Sequence, residues 1–249
     1  MGDKHLREWA YPVGSNADVD GAAAEDVWAG GGVYSFPAAA GATTLVSGSA
    51  ADAAAGTGAR SIEVVGLLAG GVLARETVVP TGTDAVALTN AFFRILDARV
   101  RSAGSGAVNA GAITIAIGGA AAGVLPAGSG RLNAAIYTVP GDRAAYLAGG
   151  RLTAGAATAG VLTGSLLIRP SGEAWQTVDL LEVASQVSGT QALDTATGTV
   201  SLARTGHGEF EFEGMLYLAP LTDVRVSVAA SVNNMVAIAS LSLMLAAAF

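Results

Sequence analysis

The chain has 249 residues, of which 51% are hydrophobic and only 13% charged, and its formal net charge is −7. This length allows one large β domain or two domains of ordinary size. An acidic chain without a Lys/Arg cluster does not suit specific nucleic-acid binding, because phosphate contacts need concentrated positive charge. The lack of cysteine excludes disulfides, thiolate metal sites and a cysteine nucleophile.

The hydrophobic fraction consists largely of alanine, and aromatic residues make up only 6% of the chain. Alanine buries little area, so we expect thin, closely packed layers and a fold that gains stability from contacts with other subunits. A surface poor in charge is typical of a protein covered by partners. A high-GC genome that favours Ala and Gly would produce the same composition, and the sequence leaves both explanations open.

Residues 1–30 are predicted to form an extended N-terminal arm. This segment contains Pro12 and an acidic cluster, has no helical stripe, and lacks the apolar core of a signal peptide. Exposed tryptophans are uncommon on monomers, so we expect the arm to dock on a neighbouring molecule. The interface candidates are its scattered large apolar residues: Trp9, Tyr11, Val27 and Trp28.

The first β region is predicted over residues 31–125. Gly70-Gly71 lies between two alternating runs and indicates a hairpin turn, and a short helical turn near 85–91 is possible. In the strand 92–101, alternation assigns Phe92, Leu96, Ala98 and Val100 to one face, opposite Phe93, Ile95 and three charged residues. The candidate strands are 33–36, 43–47, 61–68, 73–79, 85–88, 92–101 and 112–117.

The second β region is predicted over residues 131–249, after a Pro/Gly-rich boundary at 125–130. Residues 226–249 are uncharged and long enough to span a bilayer as a helix, but their alternation and Asn233-Asn234 favour two terminal strands. The candidate strands are 134–139, 143–149, 164–169, 175–183, 199–203, 209–218, 223–230 and 235–247. The predicted fold class is therefore all-β, with two β-sandwich or jelly-roll-like regions; a single fused sandwich is the alternative.

A search for catalytic and metal-binding patterns finds no convincing set. The two histidines, His5 and His207, have no partner at metal-ligand spacing, and no G-x-S-x-G motif accompanies them. Residues 16–21 match the first half of an EF-hand loop, but the twelfth position is Val27 rather than glutamate. Gly56-Thr57-Gly58 precedes a strand instead of a helix, which favours an ordinary loop.

Alternating carboxylates at Glu209, Glu211 and Glu213 could form a glycosidase pair, because i and i+2 positions on a strand lie roughly 7 Å apart. A charged strand edge that discourages unwanted pairing is the preferred interpretation. We therefore predict no catalytic residue, no cofactor and no metal.

Several segments, taken in their order along the chain, resemble a family of tailed-bacteriophage virion structural proteins. The likeness covers about residues 11–150, with one small departure at the turn 141–143. The segments are YPVGSNADVD (11–20), EDVWAGGGVYSFP (25–37), GTGAR (56–60), TNAF (89–92), AGSGAVNAG (103–111), PAG (126–128) and AIYTVP (135–140). The resemblance implies a particle component without catalytic residues.

The leading hypothesis is a non-enzymatic virion component, a capsid decoration or cement protein that forms a symmetric oligomer, most simply a homotrimer. Its partners would be itself and a major capsid, tail or neck protein, with no nucleic acid and no membrane. The alternative is a tail- or neck-associated adhesion module that recognises a cell-surface glycan, for which Trp175 and Tyr217 are the aromatic candidates in the second region.

Overall fold

The computed structural model describes residues 8–156, 159–185, 206–210 and 214–248, and these residues form an all-β protein, as predicted. The helical content of this part of the chain is one 3₁₀ turn, Ala69–Gly71. It contains no helix long and apolar enough to cross a membrane. In chain order the strands are β1 (Glu8–Ala10), β2 (Val13–Val19), β3 (Glu25–Asp26), β4 (Thr43–Ser47), β5 (Ala59–Leu67), β6 (Leu73–Val78), β7 (Val86–Ala87), β8 (Arg94–Ala103), β9 (Ile113–Ile117), β10 (Ala120–Leu125), β11 (Ile136–Thr138), β12 (Arg143–Ala156), β13 (Gly160–Arg169), β14 (Gln176–Ser185), β15 (Gly206–Phe210), β16 (Leu216–Leu218), β17 (Asp223–Ala230) and β18 (Met235–Ala247).

The first sandwich pairs a three-stranded sheet, in the order β6-β5-β8, with a four-stranded sheet, in the order β10-β9-β4-β7. Alternation explains the burial, because Ile113, Ile115 and Ile117 all point from β9 into the core. The same buried cluster contains Leu45, Ile62 and Phe92 from the facing elements.

The second sandwich pairs a six-stranded sheet with a five-stranded one. In the six-stranded sheet, β1 and β2 lie along one side of β18, β12 lies along the other, and β15 and β16 continue beyond β12. In the five-stranded sheet, β3 and β11 flank β17, which is followed by β13 and β14. Leu241, Leu243 and Leu245 alternate into the shared core.

The N-terminal segment belongs to this second sandwich, so the prediction of an arm separate from the fold is wrong for residues 8–28. Strands β1 and β2 pair with β18, and β3 pairs with β17. Val19 and Val27 are completely buried in the core of the same chain. The chain docks on itself because these short strands satisfy backbone groups along the edges of both sheets.

Two other predictions failed for local reasons. Residues 33–36 form no strand; Tyr34 instead packs edge-on against Trp28 at 5.1 Å between ring centres. In β8 the pairing with β5 shifts between Ile95 and Asp97, and this bulge turns Ile95 into the core beside Ala98. The two terminal strands exist, but β17 and β18 lie in opposite sheets.

A buried carboxylate ties two loops together at one end of the first sandwich, and a neighbouring asparagine adds a third. Asp52 accepts hydrogen bonds from the hydroxyl of Ser47 at 2.5 Å and from the backbone N–H groups of Ala59, Ala110 and Gly111 at 2.7–2.9 Å. Asn109 extends this cluster, because its amide donates to the carbonyl of Pro126 at 2.7 Å. Side chains that satisfy buried backbone groups in this way define loops that lack regular pairing.

A second buried carboxylate joins the two sandwiches. Asp223 of β17 is bonded on both oxygens by Arg94 of β8, at 3.2 Å each, and it also accepts from Thr138 at 2.5 Å and Arg169 at 2.6 Å. The side chains of Arg94 and Asp223 are 7% and 6% exposed. Arg94 also lies over the ring of Phe93 at 3.8 Å, so the joint combines ion pairing with cation–π contact.

Acid is expected to destabilise the protein. Burial alone raises the pKa of Asp52, but the hydrogen bonds from Ser47, Ala110, Gly111 and Ala59 outweigh it and leave the pKa below its ordinary value. The hydrogen bond from Arg99 is the main cause that lowers the pKa of Glu63. A carboxyl with a lowered folded pKa contributes stability that is present above its unfolded pKa and lost as pH falls through the folded pKa.

The pKa of Asp26 is shifted in the opposite direction, because burial raises it although Arg225 lies beside the carboxylate. Its contribution is complete below the unfolded pKa and is lost as pH rises through the raised folded pKa. Glu25 also has a lowered pKa, because hydrogen bonds from Asn16, Asp20 and Gly32 outweigh its burial. Three lowered pKa values against one raised value predict a net fall in unfolding free energy below about pH 4.5. Urea midpoints at pH 7, 5 and 3 measure this effect; a midpoint that rises towards pH 3 contradicts it.

Candidate functional site

An aromatic row crosses the outer face of the six-stranded sheet. Trp9 is paired with Met244, Met244 with Tyr146, and Tyr146 with Tyr217 across strands β1, β18, β12 and β16. The neighbours of Met244 on its own strand, Leu243 and Leu245, are buried, so the row faces away from the core. Trp9 is 43% and Tyr217 56% exposed, which leaves large aromatic surface uncovered on a sheet face.

A trough runs beside this row because the next positions carry small side chains. Ser242 of β18 pairs with Gly149 of β12, and the register shifts between Leu147 and Gly149, so that Ala148 is an additional residue. Bulges and glycines inside strands often mark places where another molecule approaches the backbone closely. Here they remove side chains from the middle of the face.

The far wall of the trough is polar. Ser240 pairs with Arg151, and Arg151 pairs with Glu209 on β15; both charged residues are exposed. Together the two walls and the floor enclose an open groove of about 590 Å³, hereafter the sheet groove, which is lined by Trp9, Tyr11, Gly149, Arg151, Glu209 and Ser242 among others. The rings of Trp9 and Tyr11 lie parallel, 7° apart in plane, with centres 5.9 Å apart.

Behind Trp9 and Tyr11 lies a second cavity, a cleft of about 300 Å³ between the two sandwiches. It is lined by four arginines, and each has a carboxylate partner: Arg99 and Arg75 lie 2.6 and 3.9 Å from Glu63, Arg131 lies 3.3 Å from Asp97, and Arg143 lies 3.7 Å from Asp142. Tyr137 lines the same cleft, and burial raises the pKa of its phenol. The cleft is therefore polar, but the charges that line it largely cancel.

The four predicted interface residues separate into two pairs. Val27 is fully buried and Trp28 is 5% exposed, and both pack within their own chain, so they are corrected to core positions. Trp9 and Tyr11 are 43% and 53% exposed on the ridge between the sheet groove and the cleft. That they contact another molecule remains a prediction.

The weaker candidate motifs can be placed in part. His207 lies exposed on β15, in a strand and not in a turn, and Glu209 lies two residues further on the same strand. His5, Glu211, Glu213 and the predicted strand 199–203 lie outside the described residues. Asn16 is buried and donates to Glu25 at 2.8 Å, so the EF-hand-like segment is used in internal hydrogen bonds.

Within the described ranges, no group of three or more His, Asp or Glu residues is placed to hold a metal ion. Trp175, one of the two glycan candidates, is half-buried among cationic side chains, with Arg225 at 4.2 Å and Arg169 at 4.6 Å from its ring centre. Its ring faces are already engaged by the protein.

Sequence reasoning missed Arg151, Ser240 and Ser242 as site residues. They are ordinary exposed positions of long strands, and they meet only because β12 pairs with β18 along its whole length. One signal was available: Gly149-Gly150 inside an alternating run indicates a bulge or a close approach.

No protein-family model matches this chain, and no curated protein matches it. Solved structures with some similarity come from infectious bursal disease virus. Its Gx strain structure is 10% identical, with a TM-score of 0.25, and the match covers 98% of this chain and 74% of that one. The VP2 subviral particle is 10% identical, with a TM-score of 0.26 and coverage of 98% and 73%. Similarity at this level carries no argument about function.

Proposed function

We propose that this protein is a non-enzymatic structural component of a tailed-phage virion, a capsid decoration or cement protein that assembles as a symmetric oligomer, most simply a trimer. The observation that carries the proposal is the gathering of three of the family-like segments, 56–60, 103–111 and 126–128, at one end of the first sandwich. Gly104 donates to Gly58 at 2.8 Å, and Asn109 donates to Pro126 at 2.7 Å.

These segments are distant in sequence but in contact in the fold. A chance likeness between Gly/Ala-rich runs has no reason to bring them together, whereas a shared folded unit does. These three segments lie in the first sandwich, which is the part that we assign to particle attachment. Its partners are other copies of the chain and a major capsid, tail or neck protein.

The attachment surface that we favour is the edge strand β6. Among the described strands β6 pairs with β5 alone, and Val72 and Val79 flank it with 59% and 48% of their surface exposed. An open edge with apolar ends is a template for contact with another chain. The location is accordingly the virion.

Changing both Val72 and Val79 to aspartate is expected to abolish oligomer formation and co-sedimentation with particles without unfolding the protein, because both side chains are exposed. Light scattering after size exclusion and a particle-binding assay measure these effects. Leu180→Asp, at a residue 64% exposed on β14, is the matched control and should behave as wild type. Absence of the chain from purified particles, by mass spectrometry and particle maps, would overturn the proposal.

The second candidate function is an adhesion module of the tail or neck that recognises a cell-surface glycan. The observation that favours it is the sheet groove, where exposed aromatic rings face polar groups across a floor of small side chains. The two functions are compatible, because the groove lies in the second sandwich and the attachment edge lies in the first.

A further inference from the structure

We propose that the sheet groove binds a neutral, linear oligosaccharide. This inference deepens the second candidate function and does not depend on particle attachment. It starts from the two unlike walls of the groove: Trp9 and Tyr11 on one side, and Arg151 and Glu209 on the other.

The aromatic wall suits the apolar face of a sugar. A pyranose ring presents a patch of C–H groups on its face and hydroxyls around its rim, so it needs a flat aromatic surface for the first and hydrogen-bonding groups for the second. The rings of Trp9 and Tyr11 are parallel and remain 43% and 53% exposed. Aromatic rings with an open face supply large contact area with few rotatable bonds.

The polar wall suits the hydroxyls. Arg151 offers only donors and an ionised Glu209 only acceptors, so that a sugar hydroxyl, which both donates and accepts, can satisfy either one. Ser240 and Ser242, half-buried on the floor, add groups of both kinds. The two charges are of opposite sign and adjacent in register, which favours a neutral ligand over an ionic one.

The shape suits a chain and not a single sugar. The trough follows the aromatic row across adjacent strands, and three inter-strand spacings amount to about 14 Å. The bulge at Gly149 removes the side chain that would block the middle, and a Cβ at Gly150 would lie 2.8 Å from the carbonyl of Ser240, so neither glycine can be replaced without filling or distorting the floor. The volume of about 590 Å³ lies within the usual range for ligand sites.

The test uses the full chain against a panel of neutral linear oligosaccharides from two to eight sugars long, including cellulose-, xylan-, chitin- and starch-derived series, followed by calorimetry with the strongest binder. Trp9→Ala and Arg151→Ala are each expected to weaken binding by about tenfold or more, whereas Trp9→Phe retains most of it. Arg131→Ala, which changes the neighbouring cleft but not the groove, is the matched arginine control and should bind as wild type.

A panel without a binder overturns the inference, as does a binder whose affinity is unchanged in Arg151→Ala. A Trp9→Ala variant that changes the oligomeric mass while sugar binding stays intact assigns the face to a second copy of the chain and also overturns it. Thermal melts of every variant separate lost binding from lost folding. Particle attachment through β6 is measured separately, so failure of either proposal leaves the other standing.

Discussion

Asp223→Ala is expected to lower the free energy of unfolding by about 3–5 kcal/mol, because it leaves the guanidinium of Arg94 buried without its partner. The pair spans the two sandwiches, with β8 on one side and β17 on the other. Thr138 and Arg169 also bind this carboxylate, so three donors lose their acceptor in one substitution. Buried ion pairs stabilise little relative to apolar residues, but removal of one partner is costly.

Urea unfolding followed by far-ultraviolet circular dichroism measures the effect. Arg169→Ala is the graded control: its side chain is 29% exposed, so we expect a loss of about 1 kcal/mol or less. The double variant Arg94→Met with Asp223→Ala should lose less than the sum of the two single changes, because it leaves neither Arg94 nor Asp223 as a buried charge without its partner. An Asp223→Ala protein within 1 kcal/mol of wild type would contradict this account of the joint.

Asp52→Ala is expected to lower the free energy of unfolding by about 2 kcal/mol or more, because two buried backbone N–H groups and one partly buried one lose their acceptor, and each unsatisfied buried group costs about 1–3 kcal/mol. The affected donors are Ala59 and the adjacent residues Ala110 and Gly111, which belong to two separate segments of the chain. Gly58 lies against Asp52 so closely that a Cβ there would collide with the carboxylate. The loops therefore pack too closely around Asp52 to rearrange around a side chain of a different shape at this position.

Asp84→Ala provides the matched control, since Asp84 is an exposed aspartate of the same sandwich and its replacement should change stability by less than about 0.5 kcal/mol. The Asp52 variant should also lose part of the acid sensitivity of the wild type, because the lowered pKa disappears with the side chain. Equal stability of the two alanine variants would rule out the role assigned to Asp52.

Sequence patterns predicted much of the fold where one face of a strand is buried and the other is not. β9 and β18 illustrate this, since alternate positions on each strand are apolar and these positions are buried throughout β9 and from Met235 to Leu245 in β18. The pattern failed in β8, where a bulge shifts the faces and places Ile95 in the core. A bulge depends on how a strand pairs with its neighbour, so it cannot be predicted from the alternation of the strand itself.

The candidate site was only half visible in the sequence. Trp9 and Tyr11 could be selected as large apolar residues in an N-terminal tail, but Val27 and Trp28 met the same criterion and are core residues. What separates the two pairs is the strand pairing of the N-terminal segment. A short segment gives weak periodicity, and the side that it buries is decided by the edge strands to which it adds.

By itself, the sequence determined the all-β class, the alternation of the long strands and the lack of cysteine chemistry, because these properties follow from composition and from the two-residue period of a strand. The tertiary structure alone decided that the N-terminal segment completes the second sandwich. It also decided that Asp52 and Asp223 are buried and accept several hydrogen bonds each, and that Trp9 faces Arg151 across a trough. Each of these depends on register between strands distant in the chain. Such register is set by the packing of the whole core, and local sequence carries no record of it.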